Sequence, residues 1–310
     1  MQPFFRILKK CITGCLKGGH FLLKECLTNQ CMGAYDRRML ARGFHLKRLR
    51  LFLVVFFLVS SSMDVGACTL FGAIGSHVEG GGVLIGKTRD RVENLEQSFI
   101  DLSPKGGYRY RGISTQGKSI VTSGINEKGL VVVGAAASNF KKEGPVTTVG
   151  RILAKASSVD GVIEMIKRGE IQGPISYLVG DQSKIAIVEV IDGRRNAFLT
   201  RKDGVLSHTN HFVLSEMKGL NPKLGTSSQA RWSRMDTLLG EGPFTRESFI
   251  AFTKDHTNGP GNNSICRHNK GGTRSEERTL SAAVFYLPKE GAPEMWVALG
   301  QPCQATFEKR

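Results

Sequence analysis

From Thr69 to Ala137 the chain runs as short apolar segments cut by glycine: LFGAIG, VLIG, SFIDL, YRYRGI, IVTSGI and LVVVGAAA. Segments this short, each ending in a residue that permits a sharp turn, are too brief for helices and read as strands joined by tight turns. Two helical patterns follow, around Val149 to Ala156 and Ser158 to Lys167. The second places Val162, Ile163 and Ile166 on one face behind a candidate serine cap. Strands resume at 175–180, 184–191, 196–200 and 205–209, with turn signals at Asp181-Gln182-Ser183 and Asp192-Gly193. Helical stretches at Ser228 to Leu239 and Thr245 to Lys254, a loop HTNGPGNNS and two closing strands at 280–287 and 294–299 complete the order. Blocks of strands separated by blocks of helices predict stacked sheets with helices outside, not alternating βαβ units.

Upstream of this region the sequence has a different grammar. Leu51 to Val59, LFLVVFFLV, follows the basic stretch His45 to Arg50 and precedes Ser60-Ser61-Ser62, with small residues at Val65 and Ala67. That is the three-part pattern of a secretory signal, and nine apolar residues fall short of the roughly 20 that a spanning helix needs. Signals start close to the chain start, so Met39 is the expected initiator. Residues 1–38 then form an upstream extension, 39–67 the signal and 68–310 one domain. The expected product is exported, with no stable membrane span and Cys68 as its first residue.

Residues 1–50 carry 11 Lys/Arg against Glu25 and Asp36, and Asp64 removes one further charge, so the expected mature chain is +8 rather than +16. Its remaining basic residues are dispersed and not interleaved with aromatics, which argues against a nucleic-acid partner. Three cysteines stay in the mature part: Cys68, Cys266 and Cys303. In an exported protein this allows a Cys266 to Cys303 disulfide with Cys68 as a free thiol, or two buried reduced cysteines. Cys266-Arg267-His268 is too tight a pair to read as a zinc motif, so no metal is expected.

One motif misleads. Gly81 to Thr88 satisfies G-x-x-x-x-G-K-[ST] letter for letter. A phosphate-binding loop must follow an apolar strand and open a helix. Here Gly75 to Gly80 precede it, and Val83, Leu84 and Ile85 sit inside it like a strand, which counts against a nucleotide triphosphatase.

A cysteine at position one brings thiol and α-amine to one residue. The amine's unperturbed pKa of about 7.7 to 8.0 lets it take the thiol proton near neutrality. Such a nucleophile needs a donor for the oxyanion and a group that orients the amine.

The residues that answer those needs carry a family resemblance. Cys68-Thr69-Leu70-Phe71 and Gly80 to Asp90 resemble the nucleophile end of N-terminal-nucleophile amidases. Further matches are Gly124 to Leu130, Ser207 to Phe212, Gln229 to Trp232 and Ala298 to Cys303. In this order they are most similar to the penicillin acyltransferase (peptidase C45-like) family with its carcinine-hydrolase-like members, and more distantly to choloylglycine hydrolases. The resemblance implies an α+β fold, a four-layer αββα sandwich. It also implies hydrolysis or acyl transfer at a linear C–N amide bond of a small-molecule substrate, with no cofactor. By position it implies Cys68 as nucleophile, Asp90 orienting its amine, Asn210 donating to the oxyanion and Arg231 supporting the site. Lys87, Ala136 and His211 fall at substrate-facing positions.

This chain also departs from the pattern. Lys87 stands where choloylglycine hydrolases carry an arginine, and a lysine cannot reproduce a two-pronged contact. Ala136 stands at their second oxyanion asparagine, leaving a backbone N–H to serve. Arg91 replaces an aromatic at the rim. Plain readings of the same residues are a solvated Asp90 in a charged turn, a turn at Asn126 to Gly129, a turn-forming Asn210 and an Arg231 on a helix surface. His208 and His211 flank Asn210 but sit at opposite parity along a strand, which argues against a shared metal. The rival function is an exported lipoprotein lipidated on Cys68 with a ligand-binding role.

Overall fold

The computed structural model describes residues 67–141, 144–268 and 277–310. The expected extension and nearly all of the expected signal, residues 1–66, lie outside the described residues.

Among the described residues thirteen strands form two antiparallel sheets. The first sheet has the order β10-β1-β2-β11-β12-β13. Its members are β1 (Cys68–Ile74), β2 (Val83–Arg91), β10 (Gly204–His208), β11 (Arg278–Leu287), β12 (Glu294–Leu299) and β13 (Glu308–Lys309). The second runs β3-β4-β5-β6-β7-β8-β9 in sequence order. It holds β3 (Gln97–Leu102), β4 (Tyr110–Thr115), β5 (Val121–Asn126), β6 (Val131–Ala136), β7 (Ile175–Gly180), β8 (Ile185–Val190) and β9 (Asn196–Arg201).

Alternation along each strand divides the apolar residues into three packed layers. Leu70, Ile85 and Phe285 of the first sheet meet Ile113, Val133 and Leu178 of the second between the sheets. Helices α1 (Val149–Lys155) and α2 (Val159–Lys167) cover the outer face of the second sheet through Ile152, Leu153, Val162 and Ile166. Helices α3 (Thr226–Leu238) and α4 (Arg246–Thr253) cover the first through Met235 and Phe249 against Phe71, Leu84 and Val284. The result is the expected αββα sandwich.

Local chemistry fixes the helix starts. The Thr148 and Ser158 hydroxyls accept from the N–H groups of Arg151 and Gly161, and Thr245 with Ser248 forms a capping box. The glycine run before β2 is a turn: Gly82 has φ 97°, a conformation a side chain would strain. Past that turn the chain enters a strand and not a helix, which removes the phosphate-loop reading. Gly86 is needed for packing, since a Cβ there would lie 2.2 Å from the Phe71 ring.

Candidate active site

β1 and β2 lie side by side with Cys68 opposite Arg89 and Leu70 opposite Lys87. Strand parity therefore places Cys68, Lys87 and Arg89 on the face between the sheets, and Thr69 and Asp90 on the face toward α3. Lys87 Nζ crosses to donate to the Thr122 carbonyl of β5 at 2.7 Å. Arg89 donates to Gln97 and, at 2.9 Å, to Thr115 Oγ1.

Cys68 is buried at the head of β1, and its backbone rather than its thiol is the better tied part. Its N–H donates to Asn210 Oδ1 at 3.0 Å, and its carbonyl accepts from Arg231 Nη1 at 2.8 Å. Arg231 also donates from Nη1 to Thr69 Oγ1 at 2.9 Å and from Nη2 to Asn210 Oδ1 at 2.9 Å. Two donors on one side and the Ala136 carbonyl 2.8 Å from Nδ2 on the other leave one orientation for the Asn210 amide. Arg231 is 1% exposed, so the surface reading of this residue is wrong. Burial, and next the Arg267 charge, lower its pKa to about 10, so it remains a cation at neutral pH.

Asp90 lies in a strand and is fully buried, not in a solvated turn. Its Oδ1 accepts from Thr279 Oγ1 at 2.7 Å and its Oδ2 faces Arg267 Nη1 at 3.5 Å. Burial raises its pKa, and the Arg267 and Arg231 charges oppose the rise. The Asp90 N–H donates to the Ala67 carbonyl at 2.8 Å, while the Ala67 N–H donates to Glu277 Oε1 at 2.9 Å. Ala67 is thus held at both backbone groups.

Burial raises the Cys68 thiol pKa, and the Lys87 charge is the largest influence lowering it. Burial brings Lys87 from 10.5 to about 8. A thiol and a lysine this perturbed, on adjacent strands, form the kind of coupled pair that active sites assemble.

The flanking histidines part, though not by strand parity, because β10 ends at His208. His208 ends β10 and bonds the buried Glu189 at 2.7 Å. His211 lies past the strand end, with Nδ1 2.8 Å from Ser228 Oγ and its ring edge-on to Trp232. Burial, then His208, lowers the His211 pKa to about 4, so it is neutral under ordinary conditions.

The fold bonds Cys68, Asn210 and Arg231 to one another, with Lys87 beside the thiol and Ala136 behind the Asn210 amide, whereas the Asp90 carboxylate meets Thr279 and Arg267, and the Cys68 nitrogen expected to meet Asp90 meets Asn210. His211 joins only through Ser228, which donates no side-chain clue in sequence but accepts from the Asn210 N–H at 2.9 Å. Sequence reading missed Thr69, Ser228, Arg267, Glu277 and Thr279. Thr69 carried a signal, its place beside Cys68. The others are common residue types in unmarked positions.

Residues 78–304 match the family model described as acyl-coenzyme A:6-aminopenicillanic acid acyl-transferase. The matched span starts after Cys68 and includes Lys87, Asp90, Ala136, Asn210 and Arg231. Among solved structures, penicillin V acylase from Agrobacterium tumefaciens is similar at 14% identity and TM-score 0.50, over 78% of this chain and 84% of that one. The Caenorhabditis elegans ortholog of N-acylethanolamine-hydrolyzing acid amidase aligns at 14% identity and TM-score 0.49, over 72% and 94% of the two chains. A mutant conjugated bile acid hydrolase from Clostridium perfringens aligns at 14% and 0.47, over 78% and 96%. At this identity the similarity to the penicillin V acylase speaks for a common fold alone. No curated protein sequence matches the chain.

Proposed function

Because the chain belongs to the acyl-coenzyme A:6-aminopenicillanic acid acyl-transferase family, we propose that it hydrolyses or transfers the acyl group of a small N-acyl amine through a thioester on Cys68. The observation that carries this reading is the treatment of the Cys68 nitrogen. It meets Asn210 Oδ1 at 3.0 Å, and the same oxygen is fixed by the buried Arg231. An ordinary strand residue has no need of a side-chain cradle for its backbone nitrogen. A terminal amine that must stay beside its own thiol does.

After a cut between Ala67 and Cys68, the freed amine takes the thiol proton and Lys87 lowers the energy of the thiolate. The sulfur attacks the amide carbonyl carbon. A C–S bond forms and the carbonyl pair moves onto oxygen. The geometry supplies the Asp90 N–H, which already holds a carbonyl oxygen beside the thiol, and the family resemblance supplies the Asn210 amide. The ammonium passes its proton to the departing nitrogen, the C–N bond breaks, and water or another amine resolves the thioester. A lipid anchor on Cys68 is disfavoured on two counts: the thiol is buried, and an acylated nitrogen could not act as base.

The test is mass spectrometry of the mature chain before and after incubation with a panel of N-acyl amines. A free Cys68 terminus gaining one acyl mass supports the reading. A diacylglyceryl adduct, or a free Cys68 terminus that gains no acyl mass, sinks it. The export peptidase is expected to make the cut before the domain folds around Ala67, so a Cys68→Ala chain is expected to be processed after Ala67. An unprocessed Cys68→Ala chain would assign the cut to Cys68 itself.

Lys87 adds a pH signature. Between about 8 and 10.5 the unfolded chain binds more protons at this lysine than the folded one, so its burial penalty is present below that window and fades as pH rises. Activity runs the other way, because the thiolate loses its cation above about pH 8. The alkaline limb of kcat/KM is expected near that value, and Lys87→Arg is expected to move it upward, since a guanidinium keeps its charge. A limb that stays put removes Lys87 from the reaction.

A further inference from the structure

We propose that His256, Cys266, His268 and Cys303 bind one structural zinc ion. They come from separated stretches: His256 from the chain after α4, Cys266 and His268 from the end of the loop that follows, and Cys303 from beyond β12. Their four ligand atoms nevertheless lie within 4.8 Å of one another. His256 Nε2 is 2.9 Å from His268 Nε2, which lies 3.2 Å from Cys303 Sγ and 3.7 Å from Cys266 Sγ.

Tetrahedral zinc with Zn–S near 2.3 Å and Zn–N near 2.0 to 2.1 Å gives ligand–ligand edges of about 3.3 to 3.8 Å, close to this set. Two thiolates and two neutral imidazoles also balance the charge of a dication. Borderline-soft zinc suits a sulfur and imidazole set better than magnesium or calcium, which take oxygen. Four protein ligands close the coordination sphere, which marks a structural and not a catalytic ion.

A disulfide fits the cluster less well. Cys266 and Cys303 are both free, and their sulfurs face the same imidazole nitrogen.

The ion would tie the chemistry to the scaffold. Arg267 stands between two of the ligands, its N–H donates to Thr279 Oγ1 at 2.9 Å, and its guanidinium reaches Asp90 Oδ2 and Glu277. Gln301, two residues before Cys303, donates to the Arg267 carbonyl at 3.2 Å. Clamping Cys266, His268 and Cys303 on one ion thus fixes the arginine that faces Asp90.

The experiment is elemental analysis of the mature chain, expressed without a polyhistidine tag and purified without chelator. About one zinc per chain is expected, falling to less than a tenth of that in Cys303→Ser and His256→Ala. Cobalt added to the stripped wild-type chain is expected to give the visible bands of a tetrahedral site with a thiolate charge-transfer band. Chelation is expected to lower Tm, as removal of any ligand that binds only the folded state does. Wild-type chain carrying no zinc and taking up no cobalt overturns the proposal, even if the variants fail to fold. So does a native mass lacking two hydrogens, with Cys266 and Cys303 linked in the peptide map. Neither result touches the Cys68 reading, which is judged by acyl transfer.

Discussion

Cys68→Ala is expected to reduce amide turnover by roughly four to six powers of ten, the loss seen when an acyl-enzyme nucleophile is deleted. The fold should survive, because alanine fits a strand position whose principal bonds run through the backbone nitrogen and carbonyl. Binding of substrate is then expected to persist without chemistry. Cys68→Ser is expected to retain a measurable fraction of activity, since the amine that serves the thiol also serves a hydroxyl. The measurement is single-turnover kinetics with an N-acyl amine, paired with thermal unfolding. A Cys68→Ala chain with intact turnover would end the proposal that Cys68 forms the acyl-enzyme.

The second large effect is expected at Asn210. Asn210→Ala removes the acceptor of the Cys68 nitrogen, leaves Arg231 Nη2 without its oxygen and frees the Ala136 carbonyl. Loss of a donor aimed at a developing oxyanion costs about two to three powers of ten in kcat with little change in KM. Asn210→Asp separates the two duties of this side chain. It keeps an acceptor for the nitrogen and for Arg231 but offers no amide hydrogen and adds a negative charge where the oxyanion forms. An oxyanion donor requires the aspartate variant to fall as far as the alanine one. Near-normal turnover in Asn210→Asp would confine the residue to holding the nitrogen, and unchanged turnover in Asn210→Ala would remove it from the mechanism.

Much of this arrangement was legible in the residues, for reasons that differ from part to part. The strands of 69–137 could be read because glycine and apolar runs act locally, and the cap at Ser158 because a hydroxyl bonds an N–H three residues away. Asp90 and Arg231 were harder, since a carboxylate and a guanidinium are usually solvated. Only their place in an ordered set of motifs distinguished them. Thr279 and Arg267 were invisible because β11 returns beside β2 from nearly two hundred residues away, and no local pattern encodes that register. The zinc ligands were obscured in the same way. Cys266-Arg267-His268 looks too tight for a metal motif, yet the completing pair comes from His256 at the start of the preceding loop and from the chain past β12. A motif search counts spacing along the chain, whereas a metal counts distance in space.

The grip on Ala67 has a consequence for when the molecule becomes active. Its carbonyl meets the Asp90 N–H and its own N–H meets Glu277, so before the cut the chain places one of its own residues where an acyl group would need to sit. On the Cys68 reading this is a safety catch for any chain that folds before it is cut. The folded but uncut protein has its base locked in a peptide bond and its acyl position filled by the same alanine. One irreversible event releases both. Full-length chain made without that event should then be stable, fully folded and silent, and failure to find activity in such material would say nothing about the enzyme it becomes.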